Sequence, residues 1–396
     1  MFLIRSLKLW SLLLCCACLS NWQTMAVCSE PEVSPSATVT NETLLALIEQ
    51  LGDNQFSSRQ HARERLLRLG TRVRPALLES LTHADLEIRM QARSLITKID
   101  EMAFTHQLED FLAEQNPSQE VNLPTWPQFR ELVGNDPTAR RLFAEMQRHE
   151  HHLLKTYAAS PAKAGNALWS RCDQIQRSRT LRPVYRETLS AGRIAALFLV
   201  YSDHRVKGRQ RSAPYINAFC NQEPLRRAAY GEYQRPMQAI LGSWIRGADQ
   251  QTIFHALRLA MRLNLQDGLV PAERILQSYP QSPKNVLQFA LLTVGKLGDS
   301  QHIPLVENLM EERARCSAHT IRGINYRTEV RDIALACSIH LAGMNPQEMG
   351  FDRLELHSET LFQTRSLGFA DEDTRGAAIK KWQQLRQPQG SSSPVE

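Results

Sequence analysis

The chain has 396 residues, 42% hydrophobic and 22% charged, which excludes wholesale disorder. Eighteen Gly and nineteen Pro exclude a collagen-like repeat, and eight Cys are too few for a disulfide scaffold at this length. The net charge is +6, but Arg171–Arg235 alone carries twelve Arg and one Lys against five acids, so the remainder is slightly acidic. Arg outnumbers Lys 38 to 9. Guanidinium suits planar contacts with carboxylates as well as phosphates, so this bias does not by itself indicate nucleic acid.

In chain order, residues 1–26 read as a secretory signal peptide. Arg5 and Lys8 precede a short apolar run, Leu9–Leu19, and Thr24-Met25-Ala26 offers a cleavage site after Ala26. The run falls short of the roughly twenty residues a membrane span needs. An uncleaved anchor is the competing reading, and lipidation near Cys15, Cys16 and Cys18 is another. Residues 27–41, rich in Ser, Pro and Thr, read as a flexible linker, and 387–396 as a disordered tail.

Residues 53–69 and 83–99 superpose at an offset of thirty: Phe56 on Leu86, Arg59 on Arg89, Ala62 on Ala92, Leu66 on Ile96 and Leu69 on Ile99. The apolar positions recur at helical spacing. Asp53 and Asp85 sit at the starts as caps, Gly70 stops the first helix, and Pro75 opens a short helix between them. The hexamer Glu87–Ala92 is echoed by Glu329–Ala334. Residues 252–276 and 286–309 read as two further helix pairs, in which Pro271 and Pro304 stand one repeat apart.

This pattern resembles HEAT repeats, in a protein of the bacterial exported type. The resemblance covers 42–100 and 250–345 and implies an all-α, HEAT-like α-solenoid of stacked helix pairs. A two-helix unit buries its apolar face only by stacking on its neighbours. Ala62 and Ala92 are therefore expected to be buried. Arg59, Arg89 and Arg331 match the repeat's arginine and are expected to pair with turn carboxylates. The region 101–249 reads as helical but irregular, with helices near 137–157, 161–176, 191–201 and 225–245. Residues 346–386 read as a C-terminal cap, ending in a helix with Ile379, Trp382 and Leu385 on one face. No alternating strand series stands out.

His149-Glu150-His151-His152 is the most conspicuous polar cluster. His149 and His152 are three apart, whereas a helical zinc site favours four, and no second ligand cluster stands out. Ser160 and Lys163 have the spacing of serine acyl-enzymes, but the companion elements are missing. Cys172, Cys220, Cys316 and Cys337 include no CxxC pair, and a Cys316–Cys337 bridge is one open possibility. The segment Asp203–Pro214 carries Arg205, Lys207, Arg209 and Arg211, which suit an anionic partner or a solvated loop. No aromatic residues interleave there, which argues against nucleic acid.

The reading is a non-enzymatic, exported scaffold that binds another protein through its helical-repeat surface, with no cofactor and no catalytic residues. Two alternatives remain: a metal-binding or enzymatic site within 105–250, and an envelope component tethered by an uncleaved or lipidated N-terminus and contacting anionic surfaces.

Overall fold

The computed structural model describes residues 40–113, 123–178, 187 and 189–386. The expected signal peptide, most of the expected linker and the 387–396 tail lie outside them. The described chain is mostly helical and divides into two compact units, Met1–Phe104 and Thr105–Glu396. Among the described residues no helix is long and apolar enough to cross a membrane.

In the first unit, α1 (Asn41–Glu49) begins where Thr40 accepts a hydrogen bond from the Thr43 N–H, so the helix starts at the edge of the expected linker. α2 (Phe56–Leu69) ends at Gly70, whose φ of 61° suits a residue without Cβ. α3 (Arg74–Glu79) carries Pro75 in its first turn, where a missing N–H costs no intrahelical bond. α4 (Leu86–Ala113) follows. Ala62, Leu66, Val73, Leu77, Ala92 and Leu95 are fully buried and form one core with Leu51.

The thirty-residue offset holds at atomic detail. Asp53 accepts a bond from the Gln55 N–H at 2.7 Å, and Asp85 one from Glu87 at the same distance. Arg59 donates to the carbonyls of Asp53 (2.6 Å) and Asn54 (3.3 Å). Arg89 does the same to His83 (2.6 Å) and Ala84 (2.9 Å). This corrects the expected role of both arginines, which bind backbone carbonyls of their own turn and not carboxylates. The turn leaves two adjacent carbonyls without a backbone donor, and a single guanidinium nitrogen, Nη1, donates to both.

In the second unit, α5 (Trp126–Val133), α6 (Pro137–Ala159), α7 (Ala164–Ser178) and α8 (Ala191–Ser202) are followed by α9 (Ala213–Phe219), α10 (Glu223–Tyr230) and α11 (Gln234–Arg246). The helix expected over 225–245 is thus two helices, broken at Gly231-Glu232-Tyr233. α12 (Ile253–Leu263), α13 (Leu269–Gln277), α14 (Lys284–Leu297) and α15 (Ile303–Glu307) lie at the positions expected for two helix pairs, but α12 and α13 pack chiefly on α14, and α15 on the helix that follows it.

The chain then departs from all-helical expectation. β1 (Arg315–Ile321) and β2 (Ile324–Glu329) form an antiparallel hairpin around Arg322-Gly323, both at positive φ. After α16 (Val330–Leu341), β3 (Leu356–His357) pairs with β4 (Leu361–Phe362), and α17 (Glu372–Arg386) closes the described chain. The hairpin lacks a fully buried face, so its sequence shows no clean alternation. In α17, Trp382 is buried and donates its indole N–H to Glu307 (2.8 Å), while Leu385 is 54% exposed and does not share the buried face.

Arg331 keeps the expected carboxylate role, with Glu329 at 2.7 Å and Glu372 at 2.8 Å. Beside it, Arg375 donates to Asp332 at 2.7 Å and also pairs with Glu372. Burial pushes the Asp332 carboxyl up to about 6, against the opposing pull of Arg375. The folded chain therefore holds this proton more tightly than the unfolded chain. The stability it contributes is fully present below the ordinary 3.8 and is lost as pH rises through about 6.

Two outcomes are expected. Ala62→Arg or Ala92→Arg places a long cation in a filled core and costs about 3 kcal/mol or more, read by urea unfolding. An unchanged midpoint would show the packing to be wrong. Wild-type stability measured against Asp332→Asn declines as pH rises between 3.8 and about 6, and a flat difference would contradict the buried-carboxyl account.

Candidate functional site

α6 starts strongly. Asp136 caps it by accepting from the N–H groups of Thr138 (2.9 Å) and Ala139 (3.0 Å), and Pro137 fills the first position. Midway, Glu150 leaves helical geometry at φ −132°, ψ 28°. A kink of this kind marks a place where something other than the helical ladder sets the backbone.

The side chain at this kink is fully engaged. Glu150 is only 3% exposed, and its carboxylate faces two arginines. Arg171 of α7 donates to it at 2.7 and 2.9 Å, and Arg193 of α8 at 2.8 Å. Glu187 closes the set, meeting Arg171 at 2.5 Å and Arg193 at 3.1 Å. The buried Glu150, the half-buried Glu187 and two guanidiniums make a neutral cluster, the condition under which buried charge is tolerated.

Gly192 lets α8 approach this closely, because a Cβ there would meet the Glu145 backbone at 2.5 Å. Its N–H donates to Glu145, which also accepts from Tyr233. Burial pulls Arg171 down, but its hydrogen bonds to Glu187 and Glu150 outweigh that and hold it above the usual arginine value. The Arg171 hydrogen bond holds Glu187 below the ordinary carboxylate range.

The kink opens beside a cavity of about 360 Å³ lined by His149, Glu150, His152, Leu153, Ala167, Ser170, Arg171 and Gln174. Both histidines singled out by the sequence thus reach one cavity. Burial, then the charge of Arg193, lowers the pKa of His149. His151 turns elsewhere and bonds Gln147 at 3.0 Å. The carboxylate between the histidines is committed to two arginines. Among the described residues no group of three or more His, Cys, Asp or Glu side chains is placed to hold a metal. The four internal cysteines are free thiols, with Cys172, Cys220 and Cys337 buried. Burial pushes the Cys172 and Cys220 thiols up to about 12.

The basic segment separates into different roles. Arg209 is buried, donates to the Tyr201 and Ser202 carbonyls at the end of α8, and lies over the Tyr201 ring. It is a structural clamp and not a free contact residue. Arg205 is exposed but paired with Asp203 at 2.8 Å. Burial raises Asp203, but the Arg205 hydrogen bonds prevail and bring it to about 2. Arg211 is exposed and stacks on Trp169 at 4.6 Å. Lys207 is exposed, while its carbonyl packs against Gly165 so tightly that a Cβ would collide with it. The segment is an ordered strap held against α7, with only part of its charge offered outward.

Comparison of the chain with protein-family models, with curated proteins and with solved structures finds no match.

The sequence signal for the cluster was the His-rich tetrapeptide, but its chemistry centres on Glu150. Arg171, Arg193 and Glu187 had no distinguishing spacing, since their convergence depends on three helices meeting. Glu150→Gln keeps the shape and removes a charge, which leaves the buried Arg193 and the half-buried Arg171 facing Glu187 alone. A loss of about 3 kcal/mol is expected in chemical denaturation, and a change below about 0.5 kcal/mol would show that the cluster contributes nothing to stability.

Proposed function

We propose that the chain is a non-enzymatic, exported scaffold that binds another protein through the surface of its helix pairs, arranged as a HEAT-like solenoid. The observation that carries this reading is the repeated turn in the first unit. Arg59 and Arg89 clamp equivalent carbonyls, so successive pairs present equivalent side chains in the same setting. Phe56 and Leu86 occupy that equivalent position, with Met90 one turn after Leu86. Phe56 is 71% exposed, and the other two are also well exposed. Large apolar side chains held outward at a repeated position form a contact surface. Export rests on Arg5, Lys8 and the apolar run that follows.

A metal or enzymatic site within 105–250 is a second reading, favoured by the cavity at His149 and His152. It is the weaker one, because Glu150 is already saturated by arginines.

The test is capture of a discrete protein from native envelope extract by the mature chain, beside a Phe56→Ser, Leu86→Ser, Met90→Ser variant. The wild type is expected to recover the partner and the variant to lose it while keeping its helical circular dichroism. Equal recovery would move the contact off this surface. Metal analysis of the purified chain is expected to give far less than one equivalent, and a stoichiometric metal lost in His149→Ala, His152→Ala would favour the second reading.

A further inference from the structure

The β1–β2 hairpin has one covered edge and one open edge. Arg327 of β2 exchanges two backbone bonds with Phe369: its N–H donates at 3.0 Å and its carbonyl accepts at 3.2 Å. The backbone groups of Arg327 therefore point away from β1. In an antiparallel ladder, paired residues either bond each other or both turn outward. Ala318 is paired with Arg327, so its N–H and carbonyl face the opposite edge, and Thr320, two residues on, shares that phase. Among the described residues these four groups have no protein partner, and both residues are exposed. The second edge of a sheet is normally protected by charge, proline or cover. Here the edge residues are a small alanine and a threonine.

The surroundings state what would fit. Arg313, Arg315, Arg322 and Arg327 lie in 313–328, a stretch without a single Asp or Glu. All four are exposed, and none of their guanidiniums makes a hydrogen bond or ion pair among the described residues. The bulge at Cys316 places Arg315 on the same face as Ala318, Thr320 and Arg327. The other face carries Ile321 and Ile324 near the tip, 41% and 48% exposed. Strands lie about 4.8 Å apart, so a residue opposite Ala318 sits roughly 10 Å from Arg327. A glutamate there meets the guanidinium above the alanine methyl, and the residue three positions along, on the opposite face, lies beside Ile321.

We propose that the open edge of β1 accepts an extended partner segment that alternates acidic and apolar residues, adding a third strand to the hairpin. Four backbone bonds at Ala318 and Thr320 hold the segment. Arg315 and Arg327 select the acidic positions, and Ile321 selects the apolar ones. This contact lies in the second unit and uses none of the residues of the helical surface in the first.

The test uses the full mature chain and a fluorescent peptide of four Glu-Val repeats, followed by anisotropy and by amide exchange. The peptide is expected to bind and to slow exchange at Ala318 and Thr320. A Lys-Val peptide, and a Glu-Val peptide with every backbone nitrogen methylated, are expected not to bind. Arg315→Gln, Arg327→Gln is expected to weaken binding at least about tenfold. Thr320→Pro, which removes an outward N–H and no ladder bond, is expected to do the same. Loss of Phe56, Leu86 and Met90 leaves this binding intact, which separates the idea from the helical-surface reading. No binding up to about 1 mM overturns the proposal. So does binding that survives methylation, or protection of Ile321 and Ile324 by anionic phosphatidylglycerol vesicles with none by the peptide.

Discussion

A chain built from many short helices has many helix ends, and each C-terminal end leaves up to four carbonyls without an intrahelical donor, as the turns between helices leave others. Satisfying those carbonyls is the constraint on which this structure rests, and arginine meets it repeatedly. Arg59 and Arg89 clamp the turns that open α2 and α4. Arg209 closes the end of α8. Arg262 reaches the Cys220 carbonyl after α9, and Arg274 the Arg246 carbonyl ending α11. Lys296 makes the equivalent contact, donating from its single Nζ to the adjacent Ser358 and Glu359 carbonyls.

The arginine side chain also explains why the positive window at 171–235 does not amount to a positive surface. Arg171 and Arg193 point inward to Glu150 and Glu187, and Arg205 is turned to Asp203. Much of the charge that stands out in the sequence is neutralised at short range, partly by Glu150 from outside the window. The buried cluster around Asp332 repeats the arrangement near α16 and α17. In contrast, among the described residues Arg315, Arg322 and Arg327 make no ion pair, and Arg313 feels Glu372 only at longer range, and this difference gives the hairpin its interest as a contact surface.

Burying charge has a cost in tolerance. The helix that carries Glu150 to two guanidiniums departs from regular geometry at that same residue. The cavity beside His149 and His152 lies at the same kink. The histidines that draw attention in the sequence line its wall, whereas the buried carboxylate between them organises the helices.

The sequence alone determined the local features. Helical spacing marked α2, α6 and α8 nearly to their ends, and the start of α4 but not its continuation to Ala113, because amphipathic periodicity and caps such as Asp136 act within a few residues. The offset of thirty marked Ala62 and Ala92 as buried, because identical local geometry requires identical small residues. It did not reveal the hairpin, whose inner face, with Ser317, His319, Tyr326 and Thr328, is polar or aromatic and not a run of aliphatic residues, so it carries no strong alternation. Nor did it reveal the partners of Arg59, Arg89 and Arg209, since a guanidinium is equally suited to a carbonyl or a carboxylate. Only the tertiary structure decided which acceptor each arginine meets. Contacts such as Arg193 with Glu150 or Arg375 with Asp332 join residues more than forty positions apart, and the packing of separate helices fixes that distance.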